Sequence, residues 1–514
     1  MFPPDTDFES KVTLENQSMP VSDELPFRIL FLGDWSGRES RSLTFEPMNL
    51  RPIEIDRDNF DDVMRRMRVG IDLDFQGNAA NSISLEFTEI DDFHPDRIFQ
   101  RLPLFANLRD IRKRLINPNT FNEAAREVYS WLSDTEEEKK SETITSVTPL
   151  STNQSASNNL LDQILDETPD KNYVSDIQTN EKSELSELVS RLVKPHLIQT
   201  DEAEQSKLLL IVDEVTSDLM RKIIQHPQFQ SLESAWRGAY FLVRRVETDT
   251  NLKIYLLDIS KDEVSNDLKS VNDLTDSILF RIIKFGNVES SDKEPWAVFG
   301  GNYTFSLNID DVASLIRLAK IANDTNTPFI SHFEPEMFDS KAFGAIKDSD
   351  SLNESYNSQE NKLWTTLRSL PESTCLGLTF PRFLARLPYG EQTEPTESFY
   401  FEEFLNSPQH DKYLWANPTF ACLLLLAQTY SEYGWNISKN LFLDIPGLPV
   451  HLYTENDEAK IKSCIEIPVT ENNYQQLISQ GLMPLISFRN TDMIRLGGFQ
   501  SIANPSSILR GKWN

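Results

Sequence analysis

Cysteine is scarce in this chain. Its 514 residues include three, Cys375, Cys422 and Cys464, with no CxxC spacing and no way for all three to pair. Buried, inert thiols in a reducing compartment are therefore expected. Histidine is sparse as well. The six, His94, His196, His226, His332, His410 and His451, are scattered with no pair at helical ligand spacing, which argues against a metal site. Positive charge is in deficit, with 50 Lys and Arg against 80 Asp and Glu and a formal net charge of −30. Such a chain repels a polyanion, so nucleic acid is not an expected partner. Long apolar runs are missing too. The most apolar stretch, Phe420–Gln428 (FACLLLLAQ), is too short to span a bilayer. The amino terminus, MFPPDTDFESKV, has neither a basic n-region nor an apolar h-region, so no secretory signal is expected. Neither GxxxxGK[ST] nor GxGxxG occurs, so no recognised loop cradles a phosphate. The expected class is a soluble, acidic, intracellular protein without a cofactor.

What is present suffices for large cores. Hydrophobic residues make up 39% and aromatics 10%, with 31 Phe, and the length allows two or three domains at roughly 150 residues each. Residues 1–24 read as a polar arm. Residues 25–132 read as a compact block, opened by the buried-strand pattern Phe27–Leu32 (FRILFL). Alternation over Ser82–Phe87 places Ile83, Leu85 and Phe87 on one face of a half-buried strand. The helical spacing of Ile98, Leu102, Phe105, Leu108, Ile111 and Leu115 is interrupted by Pro103, which predicts two helices over Asp96–Leu115.

The stretch 133–206 differs in kind. Between 134 and 204 there are 16 acidic and 6 basic residues, a net of −10, and no Gly, Trp or Phe. Too little apolar surface is available to offset ordering entropy, which predicts a flexible acidic linker. Two leucine-rich patches, Leu160–Leu165 and Leu185–Val193, read either as amphipathic helices that dock on a partner or as transient helices on the chain's own surface. From 207 to 514 strand-like runs (Leu252–Ile259, Ala297–Gly300, Cys375–Phe380) alternate with helical runs (Asp213–Gln225, Val312–Ile321, Phe420–Tyr430). That alternation predicts an α/β fold of mixed α+β layers around a largely buried sheet. The most informative helix runs from His226 to Asp249, where Phe229, Leu232, Ala235, Trp236, Ala239, Tyr240 and Val243 form one wide apolar stripe.

No catalytic constellation emerges. His410-Asp411 and the acidic pairs Asp91-Asp92 and Glu402-Glu403 are sequence neighbours, whereas catalytic groups must converge in space. Arg382 and Arg386, four apart in PRFLARLPYG, read either as an anion site or, preferably, as arginines bonding nearby carboxylates and carbonyls. Arg97, Arg101, Arg109, Arg112, Lys113 and Arg114 form a basic face. It suits an acidic neighbour, such as another copy of the chain, or is an ordinary solvated helix. No residue is assigned as catalytic, cofactor-binding or metal-binding.

Two resemblances follow the chain order. PFRILFLGDWSGR (26–38), RPIEIDRDNFDDVM (51–64) and LEFTEIDDFHPDRIFQRLPLFANLRDIRKRL (85–115) resemble the small, TssB-like sheath protein of bacterial type VI secretion systems. HPQFQSLESAWRG, ETDTNLKIYLLDIS, PFISHFEPEMF (328–338), LGLTFPRFLARLPYG (376–390), ESFYFEEF (397–404), DKYLWANPTFACLLLLA (411–427), GLPVHLY (447–453) and RNTDMIRLGGFQSIANP (489–505) resemble the large, TssC-like one. The resemblance implies two sheath-type globular blocks on one chain, 25–132 and 207–514, joined by the acidic linker. It implies a non-enzymatic subunit of a helical, contractile tube in the bacterial cytoplasm. The implied partners are other sheath subunits, an inner needle tube, a baseplate and a recycling unfoldase; no membrane is implied. An alternative is a sheath-end or baseplate adaptor that uses the same fold without polymerising. The family's large subunit usually continues for a further part beyond the 489–505 match, so the resemblance implies a chain that needs a second chain to complete it, builds a divergent sheath, or caps or nucleates an ordinary one.

Overall fold

The computed structural model describes residues 25–74, 83–117, 119–130, 204–286, 294–334, 358–405 and 407–513. The 1–24 arm, the 133–206 linker up to residue 203, and both leucine-rich patches lie outside the described residues.

FRILFLG (Phe27–Gly33) is apolar on both faces save for Arg28, and all seven of its residues are buried. A strand of that kind belongs in the middle of a covered parallel sheet. Among the described residues nine strands form one sheet. Its order is Asp444–Ile445, Ile494–Leu496, Met483–Ser487, Leu376–Phe380, Phe329–Phe333, Val298–Phe305, Phe27–Gly33, Leu252–Asp258 and Ile53–Ile55. The six strands from Met483–Ser487 to Leu252–Asp258 run parallel, and the outer pairings are antiparallel. The stretches 25–132 and 207–514 thus share one sheet.

Alternate residues of the Phe27 strand feed opposite cores. Phe27, Ile29 and Phe31 join one cluster, with the helices Phe60–Met67, Pro95–Arg101, Ala106–Ile116, Glu204–Ile224, Pro227–Arg244 and Thr419–Tyr433. Leu30 and Leu32 join the other, under Lys261–Ser270, Ile278–Phe285, Ile309–Thr325 and Ser358–Arg368. The result is a three-layer α/β/α arrangement.

The helix Pro227–Arg244 starts where the sequence places it: Pro227 occupies the first turn and the His226 side chain accepts from the Gln228 N–H. Phe229, Leu232, Ala235, Trp236, Ala239 and Val243 are buried, whereas Tyr240 is only partly covered at the rim. The two helices predicted around Pro103 appear as Pro95–Arg101 and Ala106–Ile116, with a 3-10 turn between them. The helix predicted from Asp213 begins earlier, at Glu204, because Leu208, Ile211 and Val212 continue its buried stripe. The last three residues of the 133–206 stretch are therefore helical. FACLLLLAQ lies in Thr419–Tyr433, a fifteen-residue helix buried on nearly every side against the sheet. Among the described residues no helix is long and apolar enough to cross a membrane.

Candidate functional site

The candidate feature of the fold is the seam where residues 25–130 meet the rest of the chain. Its centre is the Phe27–Gly33 strand. It pairs with Leu252–Asp258 from Phe27↔Leu252 to Gly33↔Asp258, and on its other side with Val298–Phe305 from Ile29↔Val298 to Leu32↔Gly301. The loop after it is pinned by Asp258. That carboxylate accepts from Trp35 N (2.8 Å), Ser36 N (3.0 Å) and Ser36 Oγ (2.8 Å), and also binds Arg38. Arg38 reaches on to Glu263 at 2.7 Å. Asp34, which accepts from the Arg38 and Glu39 N–H groups, has its carboxyl pushed up to about 6 by burial and by the neighbouring Asp258 charge.

Aromatic contacts extend the seam. Trp236 Nε1 donates to the Trp35 carbonyl at 2.8 Å, and the two indoles meet edge to face at 5.8 Å. Phe60 stands edge-on to Trp236 at 5.5 Å and to Tyr240 at 5.3 Å. Further out, Arg112 grips Asp213 through Nε (2.6 Å) and Nη2 (3.2 Å). Asp96, near the start of its helix, accepts from the backbone N–H groups of Glu397 and Ser398, each at 2.9 Å, and Phe99 packs on Phe399 at 4.7 Å.

The loop carrying Phe399 is locked from below by a buried charge cluster. Arg386 lies between Glu233 (Nε–Oε1 2.8 Å) and Glu403 (Nη1–Oε2 2.8 Å). Arg237 bonds Glu233 at 2.6 Å and the Tyr389 hydroxyl at 2.8 Å, and Tyr389 N donates to Glu403 at 2.8 Å. Glu233, Arg386 and Glu403 are all under 5% exposed. Burial opposes the charge on Glu233, but Arg386 and Arg237 hold its carboxyl below the usual range. Burial dominates at Glu403 and raises it. Two guanidiniums against two carboxylates leave the cluster neutral, which makes its burial tolerable.

The structure separates most of the residues that are paired in sequence. His410 turns to Lys462 Nζ (2.8 Å) and the Glu466 carboxylate (3.9 Å), while Asp411 is exposed. Asp92 is buried, accepting from Thr88 and Arg101, while Asp91 is exposed. Glu402 accepts from Glu391 N, and Glu403 joins the Arg386 cluster. Arg382 forms a two-pronged pair with Glu466 at 2.8 and 2.6 Å, so both arginines of PRFLARLPYG bond carboxylates of their own chain. The basic face is largely taken up internally. Arg97 meets Glu89, Arg101 meets Asp92, Arg109 meets the Phe99 and Leu102 carbonyls, and Arg114 meets Asp110 and Glu127. Arg112 crosses the seam, so the acidic neighbour this face meets is Asp213 of the same chain. Sequence reasoning passed over Glu233, Asp258 and Asp213. Glu233 carried a signal: an acid beside Leu232 on an apolar stripe, with Arg237 four residues on.

Comparison with known proteins gives the same two parts in the same order. The family described as "EvpB/VC_A0108, tail sheath N-terminal domain" matches residues 206–503, well over half of the chain. The family described as "Type VI secretion system, VipA, VC_A0107 or Hcp2" matches residues 10–143. The type VI secretion system sheath protein TssC1 of Pseudomonas aeruginosa is 32% identical over 343 residues, which cover 64% of this chain and 69% of the relative. Sheath subunits of this kind assemble with one another into oligomers. The chain belongs to the type VI secretion sheath family, as a structural subunit that joins small- and large-subunit sequences on one polypeptide.

Proposed function

We propose that the chain is a pre-joined building block of a contractile sheath, one small and one large subunit folded as a single rigid piece that transmits force rather than performing catalysis. The observation that carries this reading is the Phe27–Gly33 strand, hydrogen-bonded on both sides inside the sheet built by the large-subunit sequence. Force applied to residues 25–130 then passes straight into the centre of the other part. The 133–206 stretch supplies reach and a fixed one-to-one ratio, raising the effective concentration of the two parts. In this reading the sheath works in the bacterial cytoplasm, encloses an inner needle tube, grows from a baseplate and is taken apart by an unfoldase. The test is to express the chain alone and with the inner-tube protein of the same organism, then examine lysates by negative-stain microscopy. Striated tubes in long and short forms are expected. A chain that stays monomeric with every partner would sink the polymer reading.

A further inference from the structure

Among the described residues both margins of the nine-stranded sheet are short. They end on Ile53–Ile55 and Asp444–Ile445, strands of three and two residues, next to Pro52 and Pro446. Short, proline-flanked edges discourage a further strand. The hairpin His451–Glu455/Glu458–Lys462 is built differently. It forms a two-stranded sheet of its own, turned at Asn456 and Asp457 with φ of 54° and 61°, the left-handed pair that a tight type I′ turn requires. Its inner face is anchored. His451 is buried with Nδ1 2.6 Å from the Tyr413 hydroxyl, and the Lys462 ammonium lies over the Tyr413 and Trp415 rings at 5.2 and 5.4 Å.

The outer face carries Leu452 directly opposite Ile461, 63% and 44% exposed, and next to them the exposed pair Thr454 and Ala459. A lone ribbon that turns an apolar pair outward is a surface built to be covered. Asp457 and Glu458 stand exposed at its tip, while Glu455 is taken up by Lys460. The complementary surface lies on the other part of the chain. Arg66 and Arg68 are exposed at the end of the Phe60–Met67 helix. Arg41 ties a neighbouring loop to that end by donating to the Arg68 carbonyl at 2.9 Å, and Leu43 on this loop is 51% exposed. The hairpin offers the pair Leu452 and Ile461 with two carboxylates at its tip, and the other surface offers Leu43 with Arg66 and Arg68, side chains of opposite charge that suit one another. Because the two patches differ, their contact is head to tail, the kind that propagates into an open filament.

We infer that the outer face of the 451–462 hairpin docks on the Leu43, Arg66 and Arg68 surface of a second copy of this chain. The inference rests on the sheath reading above. It is tested on the full chain by pelleting assembled tubes and imaging them. Paired substitutions Leu452→Ser with Ile461→Ser, Asp457→Lys with Glu458→Lys, or Arg66→Glu with Arg68→Glu lower the pelleted fraction at least about tenfold, as loss of a central contact does. Their melting transitions stay cooperative and drop by no more than a few degrees: all six side chains are exposed, while Asp457 and Arg68 hold left-handed backbone and Arg66 closes a helix. Combining the two charge-reversed sets restores tubes. Wild-type tubes with undiminished assembly of the variants, or no rescue by the combined set, overturn this contact alone. Intact tubes that lose only the co-sedimenting inner-tube protein overturn it too, by placing the hairpin against the needle. A wild type that forms no tubes overturns the sheath-unit reading and this contact together.

Discussion

Arg386 is the residue whose loss the fold tolerates least. It is the only guanidinium among the described residues that bonds both Glu233 and Glu403. Its removal leaves one of two buried carboxylates with no cation and the other with Arg237 alone. Replacing one partner of a buried charge cluster costs about 3–5 kcal/mol, so Arg386→Met lowers the unfolding free energy measured in urea by that amount. Glu403→Gln costs less, because burial already disfavours its charge. Equal losses for the two variants would mean that burial does not outweigh the ion pair at Glu403. Asp34 gives a pH-dependent counterpart. Its folded carboxyl titrates at about 6, above the ordinary 3.8, so the folded state holds the proton more tightly. Its contribution to stability is complete below 3.8 and is lost as pH rises through about 6. Glu466 adds no slope in the upper part of that window. Burial would raise its carboxyl, but the Arg382 pair pulls it down to about 2, so its contribution is complete above 4.5 and lost only as pH falls towards 2. Burial holds His332 down to about 3, so its contribution grows with pH over the same window. The measured quantity is therefore the difference, in which the melting temperature of the wild type relative to Asp34→Asn falls between about pH 4.5 and pH 6. A profile unchanged by the substitution would refute the assignment.

At the scale of elements, a close helix contact is made through Gly238. A Cβ built there would collide with the ring of buried Phe420 on the Thr419–Tyr433 helix. Both helices lie against the same face of the sheet, so neither can retreat freely. Gly238→Ala should cost about 1–3 kcal/mol by overpacking, and Gly238→Ala with Phe420→Leu should cost less than the two single changes added. Simple additivity in chemical denaturation would show that the contact is looser than drawn. Gly238 also shows what a sequence conceals. The stripe of Phe229, Leu232, Ala235, Trp236, Ala239 and Val243 was legible because helical periodicity is local. The FRILFL strand and the break at Pro103 were legible for the same reason. Which element faces Gly238 was not, because Phe420 lies 182 positions away. Nor were the partners of Glu233, Asp213 and Asp258, which are joined across more than a hundred residues. Adjacent pairs such as His410-Asp411 carried no site signal, and their side chains part: His410 turns to Lys462 and Glu466 while Asp411 is exposed.

At the scale of the whole molecule, the decisive question is what joins the two parts. The polypeptide link at 133–206 is one answer, and the sheet is the other. Seven aligned pairs on one side of Phe27–Gly33 and four on the other mean that residues 25–130 cannot leave without opening the middle of the sheet. Departure would also expose Phe27, Ile29, Phe31 and Trp35, which are all fully buried. Cutting the backbone at an inserted protease site between residues 134 and 203 should therefore leave both fragments co-eluting on gel filtration and melting in a single transition. In the proposed unit the link acts on kinetics instead. In the intact chain the two parts meet within one molecule, so refolding from urea is expected to run at a rate independent of protein concentration. In the cut chain the same step is bimolecular, so its rate rises with concentration and its melting midpoint becomes concentration-dependent. Fragments that separate under native conditions would show that the tether, not the shared sheet, holds the unit together. Force transmission through the Phe27 strand would then fall with it.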